Sequence, residues 1–190
     1  MTARDNPDRR VLRTRVALRD ALLALLPEKG WDDLNVQEIC DRANVGRSTF
    51  YLHYQSKEDL LSEGLNDLRA MLGATGAEGD SGPARFAFLP GLLAHMIENR
   101  AVFRTVIGRR SGHVVERRFR AMVVQLLEDD LAGQGPGAGS PEVHARFIAG
   151  GWVDLMAWWV DTANPPPIEV LELQLRELAV RVGSGRGESE

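Results

Sequence analysis

The sequence is short of the residues that would remove it from the ordinary globular class. Its one cysteine, Cys40, can form no intrachain disulfide and cannot anchor a multi-thiolate zinc site. No run approaches the roughly 18 uninterrupted apolar residues of a membrane span. The opening MTARDNPDRR is charged and lacks the apolar stretch of a secretory leader, so the cytoplasm is the expected compartment. No segment alternates apolar and polar residues as a half-buried strand does. What is present is 44% hydrophobic and 26% charged, the composition of a folded protein with a real core. At 190 residues the chain can hold one large or two small units.

The net charge of -4 is unevenly spread. Residues 1–57 carry 10 Lys and Arg against 8 Asp and Glu, while residues 58–190 carry 13 against 19. A cationic first third joined to an acidic remainder suits a protein that presents one end to a polyanion.

Apolar residues recur at helical spacing almost throughout, which predicts an all-α protein of about nine helices. Leu18, Ala21, Leu22, Leu25 and Leu26 form one stripe between Arg13 and Glu28, closed by Lys29 and Gly30. Asn35 and Glu38 have capping-box spacing and predict a second helix over 36–43. Asn44, Val45 and Gly46 break it, and a third helix follows over 47–54. Ser56 and Asp59 repeat the capping signal for a fourth, which should end where the glycine-rich 73–83 begins. Further helices are predicted at 84–98 with a kink near Pro90, at 101–107, 113–131, 141–162 and 167–182. The segment 133–140 reads as a loop. The domain boundaries follow: an N-terminal helix-turn-helix unit at 1–55, a second helical domain at 56–182, and a disordered tail at 183–190.

The two short helices at 36–54 are too small to bury a core alone, so the first helix must complete a three-helix unit. Val36, Ile39, Cys40, Ala43, Val45 and Phe50 would then face inward, leaving Arg47, Ser48, Thr49, Tyr51 and His53 outward. A guanidinium, two hydroxyls, a phenol and an imidazole are donors suited to base edges and phosphate oxygens. Lys57 falls in the first turn of the fourth helix, where unpaired N–H groups favour a phosphate. Arg9, Arg10, Arg13 and Arg15 could reach a DNA backbone from the first helix.

The run VQEICDRANVGRSTFYLHYQSKEDLL, from Val36 to Leu61, resembles the helix-turn-helix signature of the TetR family of transcriptional regulators. The likeness extends back to Arg13 and covers about a third of the chain. It implies backbone contacts from Thr49, Tyr51, His53 and Lys57 and base-facing roles for Arg47 and Ser48. Asn44 stands where the family's turn usually has glycine, and Gly46 where a serine usually caps the recognition helix; asparagine tolerates left-handed dihedrals and glycine can cap.

In FIAGGWVDLMAWWV, Phe147 to Val160, Asp154 is the only charge, so the eighth helix reads as apolar on every side and therefore buried. Its 14 residues span about 21 Å, too short for a membrane. The ninth helix has Ile168, Leu171, Leu175, Leu178 and Val182 in one stripe. A homodimer interface is expected at Gly150, Gly151, Asp154, Trp158, Leu171, Leu175 and Leu178, an isologous four-helix contact that the resemblance also implies. The resemblance further implies an effector pocket. Phe88, His95, Met96, Phe103, Trp152 and Met156, with Phe86 and Trp159, are the ligand-binding residues expected, and they suit a small, largely apolar molecule. The function expected is that of a homodimeric repressor on a pseudo-palindromic operator, released by such an effector. The alternative is a DNA-binding protein of the same type without an effector, architectural or partner-controlled.

No enzyme is read. GDSGP at 79–83 is a fragment of a serine-nucleophile motif with no strand scaffold to aim a base at Ser81. The glycines at 133, 135, 137 and 139 follow no strand, so a dinucleotide site fails on context. His53, His95, His113 and His144 are dispersed, so no metal site and no cofactor is implied.

Overall fold

The computed structural model describes residues 7–75, 85–108, 113–132 and 140–183. The readings of 79–83, of the glycine run at 133–139 and of the tail after 183 lie outside the described residues. Among those described there are nine helices and no strand, and none is long and apolar enough to cross a membrane. They form two compact units, residues 1–65 and 66–190. The boundary falls inside the fourth helix, because its first turns bury Leu60 and Leu61 in the first unit.

In the N-terminal unit, α1 spans Pro7–Lys29. It starts earlier than the apolar stripe predicts, with Pro7 in the first position, where its missing N–H costs nothing. Val11, Leu12 and Val16 are exposed, so the first turns bury nothing and carry no periodic signal. The helix ends on Gly30 at φ +81, whose N–H donates to the Leu26 carbonyl at 2.9 Å. α2 spans Val36–Ala43, and its capping box is complete: Asn35 Oδ1 accepts from the Glu38 N–H, and Glu38 accepts from the Asn35 N–H, each at 3.1 Å. Glu28 receives Arg42 at 3.1 and 2.7 Å, and Lys29 pairs with Glu38, so two ion pairs join α1 to α2. α3 spans Arg47–His53, and α4 spans Lys57–Thr75. α4 runs on through Gly73, past the predicted end.

In the C-terminal unit, α5 is Leu89–Glu98, α6 Arg100–Val106, α7 His113–Ala132, α8 Pro141–Asp161 and α9 Ile168–Gly183. α8 lies along α7 and also touches α6 and α9, while α5 packs on α9. Pro90 does not kink a helix begun at 84; it sits in the first turn of α5. Residues 85–88 form a turn instead, with Phe86 at φ +60, a conformation that costs a bulky residue energy. Asp130 holds it, accepting the Phe86 N–H at 2.8 Å, and burial pushes the Asp130 carboxyl above the usual carboxylate range. Phe86 is thereby seated edge-on against Trp152, ring centroids 5.1 Å apart.

Arg100 closes the end of α8. Its Nη2 donates to the carbonyls of Val160 and Thr162 at 3.1 and 2.7 Å, a cation at the negative end of a helix dipole. Beside it, Gly108 is buried where any side chain would collide: a Cβ there would lie 2.2 Å from the Arg104 carbonyl oxygen and 2.9 Å from Asp161 Oδ1. The first of these atoms is backbone and cannot yield. Gly108→Ala is expected to destabilise the C-terminal unit by about 1–3 kcal/mol through this overpacking. Chemical denaturation would check it, and an unchanged midpoint would refute the crowding.

Candidate nucleic-acid interface

Two short elements set the geometry of the site. Asn44 ends α2 in the left-handed conformation, φ 52 and ψ 44, which turns the chain sharply into α3. Gly46 caps α3 at φ -66 and ψ 144 with no side-chain hydrogen bond, so the departures noted in the sequence are accommodated as argued there. Phe50 is the anchor of α3. It is fully buried and meets Tyr51 and Tyr54 at ring distances of 5.3 and 5.6 Å. Ile39 and Cys40 of α2 are buried with it, while Val36, Ala43 and Val45 are half-buried. Burial pushes the Cys40 thiol up, further from its reactive form.

With Phe50 pinned inward, Arg47, Ser48 and Tyr51 are exposed, and Thr49 and His53 half-buried. The Arg47 guanidinium lies 5.9 Å from the Tyr51 ring centre, and its hydrogen bond with the phenol strengthens its hold on the proton. These two side chains share one flank of α3. Leu52, not singled out in the sequence, is the most exposed large apolar residue described, at 81%.

Two predicted contacts are already engaged within the unit. Arg15 pairs with Glu63 at 3.3 Å and lies 6.0 Å from the Tyr54 ring centre. Lys57 is turned toward its own protein: Nζ donates to the carbonyls of Trp31 and Leu34, both at 2.7 Å, and sits 4.7 Å from the Trp31 ring centre. It holds the α1–α2 turn against the start of α4. A carbonyl clamp between residues 23 and 26 apart in the chain leaves no sequence signature.

The C-terminal residues fall into two sets. Phe88, Met96, Phe103, Trp152 and Met156 are buried and His95 half-buried. Phe86 and Phe88 pack on Trp152, and Phe103 stands edge-on to both His95 and Phe119, at 5.9 and 5.5 Å. The indole N–H groups are satisfied by backbone, Trp152 by the Leu175 carbonyl at 3.0 Å and Trp159 by that of Pro166 at 2.8 Å. Burial pushes the His95 imidazole below its ordinary value of 6.5, against a weaker upward pull from Glu98. The unfolded chain therefore takes up this proton more readily than the folded one. Stability from His95 is complete above the ordinary value and is lost as pH falls through it. Urea midpoints should drop between pH 7.5 and 5.5, and His95→Gln should flatten part of that drop; parallel pH slopes in the two proteins would contradict the burial argument.

Among the residues expected at an interface, Leu171 and Leu175 point inward, 1% and 0% exposed, because α9 uses that stripe to pack on its own unit. They are corrected to core. Gly150 is half-buried; Gly151, Asp154, Trp158 and Leu178 are exposed. Nor is α8 buried all round. Val143 and Phe147, one turn apart, are 62% and 67% exposed, and with Gly151, Asp154 and Trp158 they make one outward stripe. A groove of about 540 Å³ runs beside it, lined by Asp154, Leu155, Ala157, Trp158, Asp161 and Gln174.

A three-helix unit with a turn-linked pair and a donor-rich exposed helix, followed by an all-helical second unit, defines a helix-turn-helix protein. Residues 18–63 match the family described as bacterial regulatory proteins, tetR family. The uncharacterized HTH-type transcriptional regulator YxbF of Bacillus subtilis (strain 168) is 47% identical over 180 residues, a match covering 86% of this chain and 44% of the relative. The chain thus spans less than half the length of that curated relative. Among solved structures, a TetR transcriptional regulator from Streptococcus agalactiae 2603V is similar at a TM-score of 0.68 and 26% identity, covering 90% of this chain and 96% of the other. The transcriptional regulator FadR from Bacillus subtilis, in complex with stearoyl-CoA, shares the fold at a TM-score of 0.61 and 16% identity, covering 90% and 99%. The match to the tetR family model thus lies within the N-terminal unit, and the whole described fold is similar to that of solved TetR regulators.

Proposed function

We propose that the chain is a homodimeric transcriptional regulator that binds a pseudo-palindromic operator through α3 and acts as a repressor, released by a small, largely apolar effector. The observation that carries the reading is the outward face of α3, where Arg47, Ser48 and Tyr51 stand exposed while Phe50 pins the opposite side. Such a helix fits the major groove, with Arg47 able to make two hydrogen bonds to a guanine edge. Thr49, Tyr51 and His53 serve the backbone on this reading, and Arg15 reaches it by exchanging Glu63 for a phosphate. Lys57 acts by holding the site's scaffold.

The dimer rests on the outward stripe of α8. Residues 143 and 147 precede Gly150–Gly151 by the same intervals at which 154 and 158 follow it. An isologous crossing at the glycines sets Phe147 and Val143 against the groove beside the partner's Asp154 and the partner's Trp158. Gly151 has open space where its side chain would be, room for a second helix to approach.

The effector reading draws support from the aromatic set at Phe88, His95, Met96, Phe103, Trp152 and Met156, and from the fold shared with a FadR that holds stearoyl-CoA. α4 belongs to both units, so a ligand that favours one tilt of it over another changes the spacing of two recognition helices and the affinity for DNA. A second reading, regulation without an effector, is favoured by the way those aromatics pack on each other with both indole N–H groups satisfied.

The test is binding of the purified protein to its upstream DNA over several salt concentrations, against a scrambled duplex. Selective binding by a dimer supports the reading; equal affinity for both duplexes, with denatured-sample mass spectrometry finding no retained ligand, counts against it. Ligand-dependent rises in melting temperature then separate the two forms.

A further inference from the structure

Leu52 spends a large apolar side chain where burial gains it nothing within the protein: it is 81% exposed, more than any other large apolar residue described. Its place on α3 is specific. Successive helical residues turn by about 100°, so Ser48 and Leu52, each two residues from Phe50, both lie within about 20° of the direction opposite it. Phe50 is fully buried. Ser48 and Leu52 therefore form the crest of the helix, one turn apart, with the Arg47–Tyr51 pair along one flank and the half-buried Thr49 on the other.

Resting on the DNA-binding reading above, we propose that Leu52 is a specificity-determining residue that reads the 5-methyl group of a thymine in each half-site. The major-groove edges of guanine, adenine and cytosine offer polar donors and acceptors at that depth. Thymine alone among the four adds a methyl group, and apolar contact is the way it is read. A leucine on the crest, with Ser48 beside it, finds no partner on phosphate oxygens and would be an idle cost against any other base.

The experiment is selection of binding sites from a random duplex pool by the full chain and by Leu52→Ala, followed by titration of the selected site with each thymine replaced in turn by deoxyuridine. One thymine per half-site should lose about 4-fold in affinity for the wild type when its methyl is removed, the value of one buried carbon. Leu52→Ala, which removes the contact from both half-sites, should bind the thymine site about as weakly as the wild type binds a site with uracil at that position in both half-sites, about 16-fold, show no further loss on uracil, and select no thymine there. Being exposed, the substitution should leave the melting temperature unchanged, which excludes misfolding as the cause. A motif selected identically by both proteins, or a methyl effect of equal size in both, overturns the role of Leu52 and leaves the DNA-binding reading standing. Selection of no motif by the wild type overturns both.

Discussion

Replacing Phe147 by glutamate should convert the dimer to monomers at micromolar concentration and weaken operator binding by on the order of 1,000-fold. Phe147 is 67% exposed in the single subunit, so the substitution disturbs little of that subunit's own packing. In the isologous contact proposed above, each Phe147 would enter the groove beside the partner's Trp158 and the partner's Asp154. Burying a phenylalanine side chain is worth about 1.5–3 kcal/mol, and two-fold symmetry counts the loss twice. The introduced carboxylate also faces a carboxylate, which adds repulsion. A monomer reads one half-site only, so affinity for a palindrome falls with the dimer. Light scattering and operator titration read the two effects. Leu175→Glu is the contrast: Leu175 is fully buried, so that variant should lose its fold rather than its partner. A Phe147→Glu protein that still scatters as a dimer would remove α8 from the interface.

The elements most legible in the sequence were those governed by local chemistry. The capping box at Asn35 and Glu38 fixed the start of α2, and Asn44 took the left-handed turn that its side chain tolerates. Features that depend on distant partners were not legible. The first turns of α1 bury no stripe, so periodicity began only farther along. Phe86 adopts a positive φ with no glycine to announce it, because a carboxylate 44 residues away holds the turn. α9 has two apolar faces, and spacing alone could not say which one Leu171 and Leu175 turn inward. The same ambiguity hid Phe147: an apolar helix reads as buried whether its cover is the same chain or a second one. On α3 the outward face is marked by its polar donors, and Leu52 shares that face because it lies two residues, about 200°, from the buried Phe50.

Lys57→Ala should cost the N-terminal unit about 2–4 kcal/mol and lower its melting temperature by about 10 °C or more. The ammonium donates to two carbonyls at 2.7 Å and lies over the Trp31 ring, and alanine supplies neither the hydrogen bonds nor the charge. Hydrogen bonds to a charged group are worth about 1.5–3 kcal/mol each, reduced here because the side chain is only half-buried. Arg47→Ala should behave in the opposite way. Its side chain is exposed and packs only along Tyr51, so stability should change by no more than about 0.5 kcal/mol, while preference at one base pair relaxes by about 1–3 kcal/mol. DNA titrations well below both melting temperatures separate a scaffold residue from a reading residue. If Lys57 acts through the α1–α2 turn, its loss weakens all sequences alike only as the temperature nears the lowered melting point, and titrations well below it show no deficit. A Lys57→Ala protein that melts with the wild type but binds every duplex more weakly would return Lys57 to direct phosphate contact, with its two carbonyl bonds exchanged for DNA on binding.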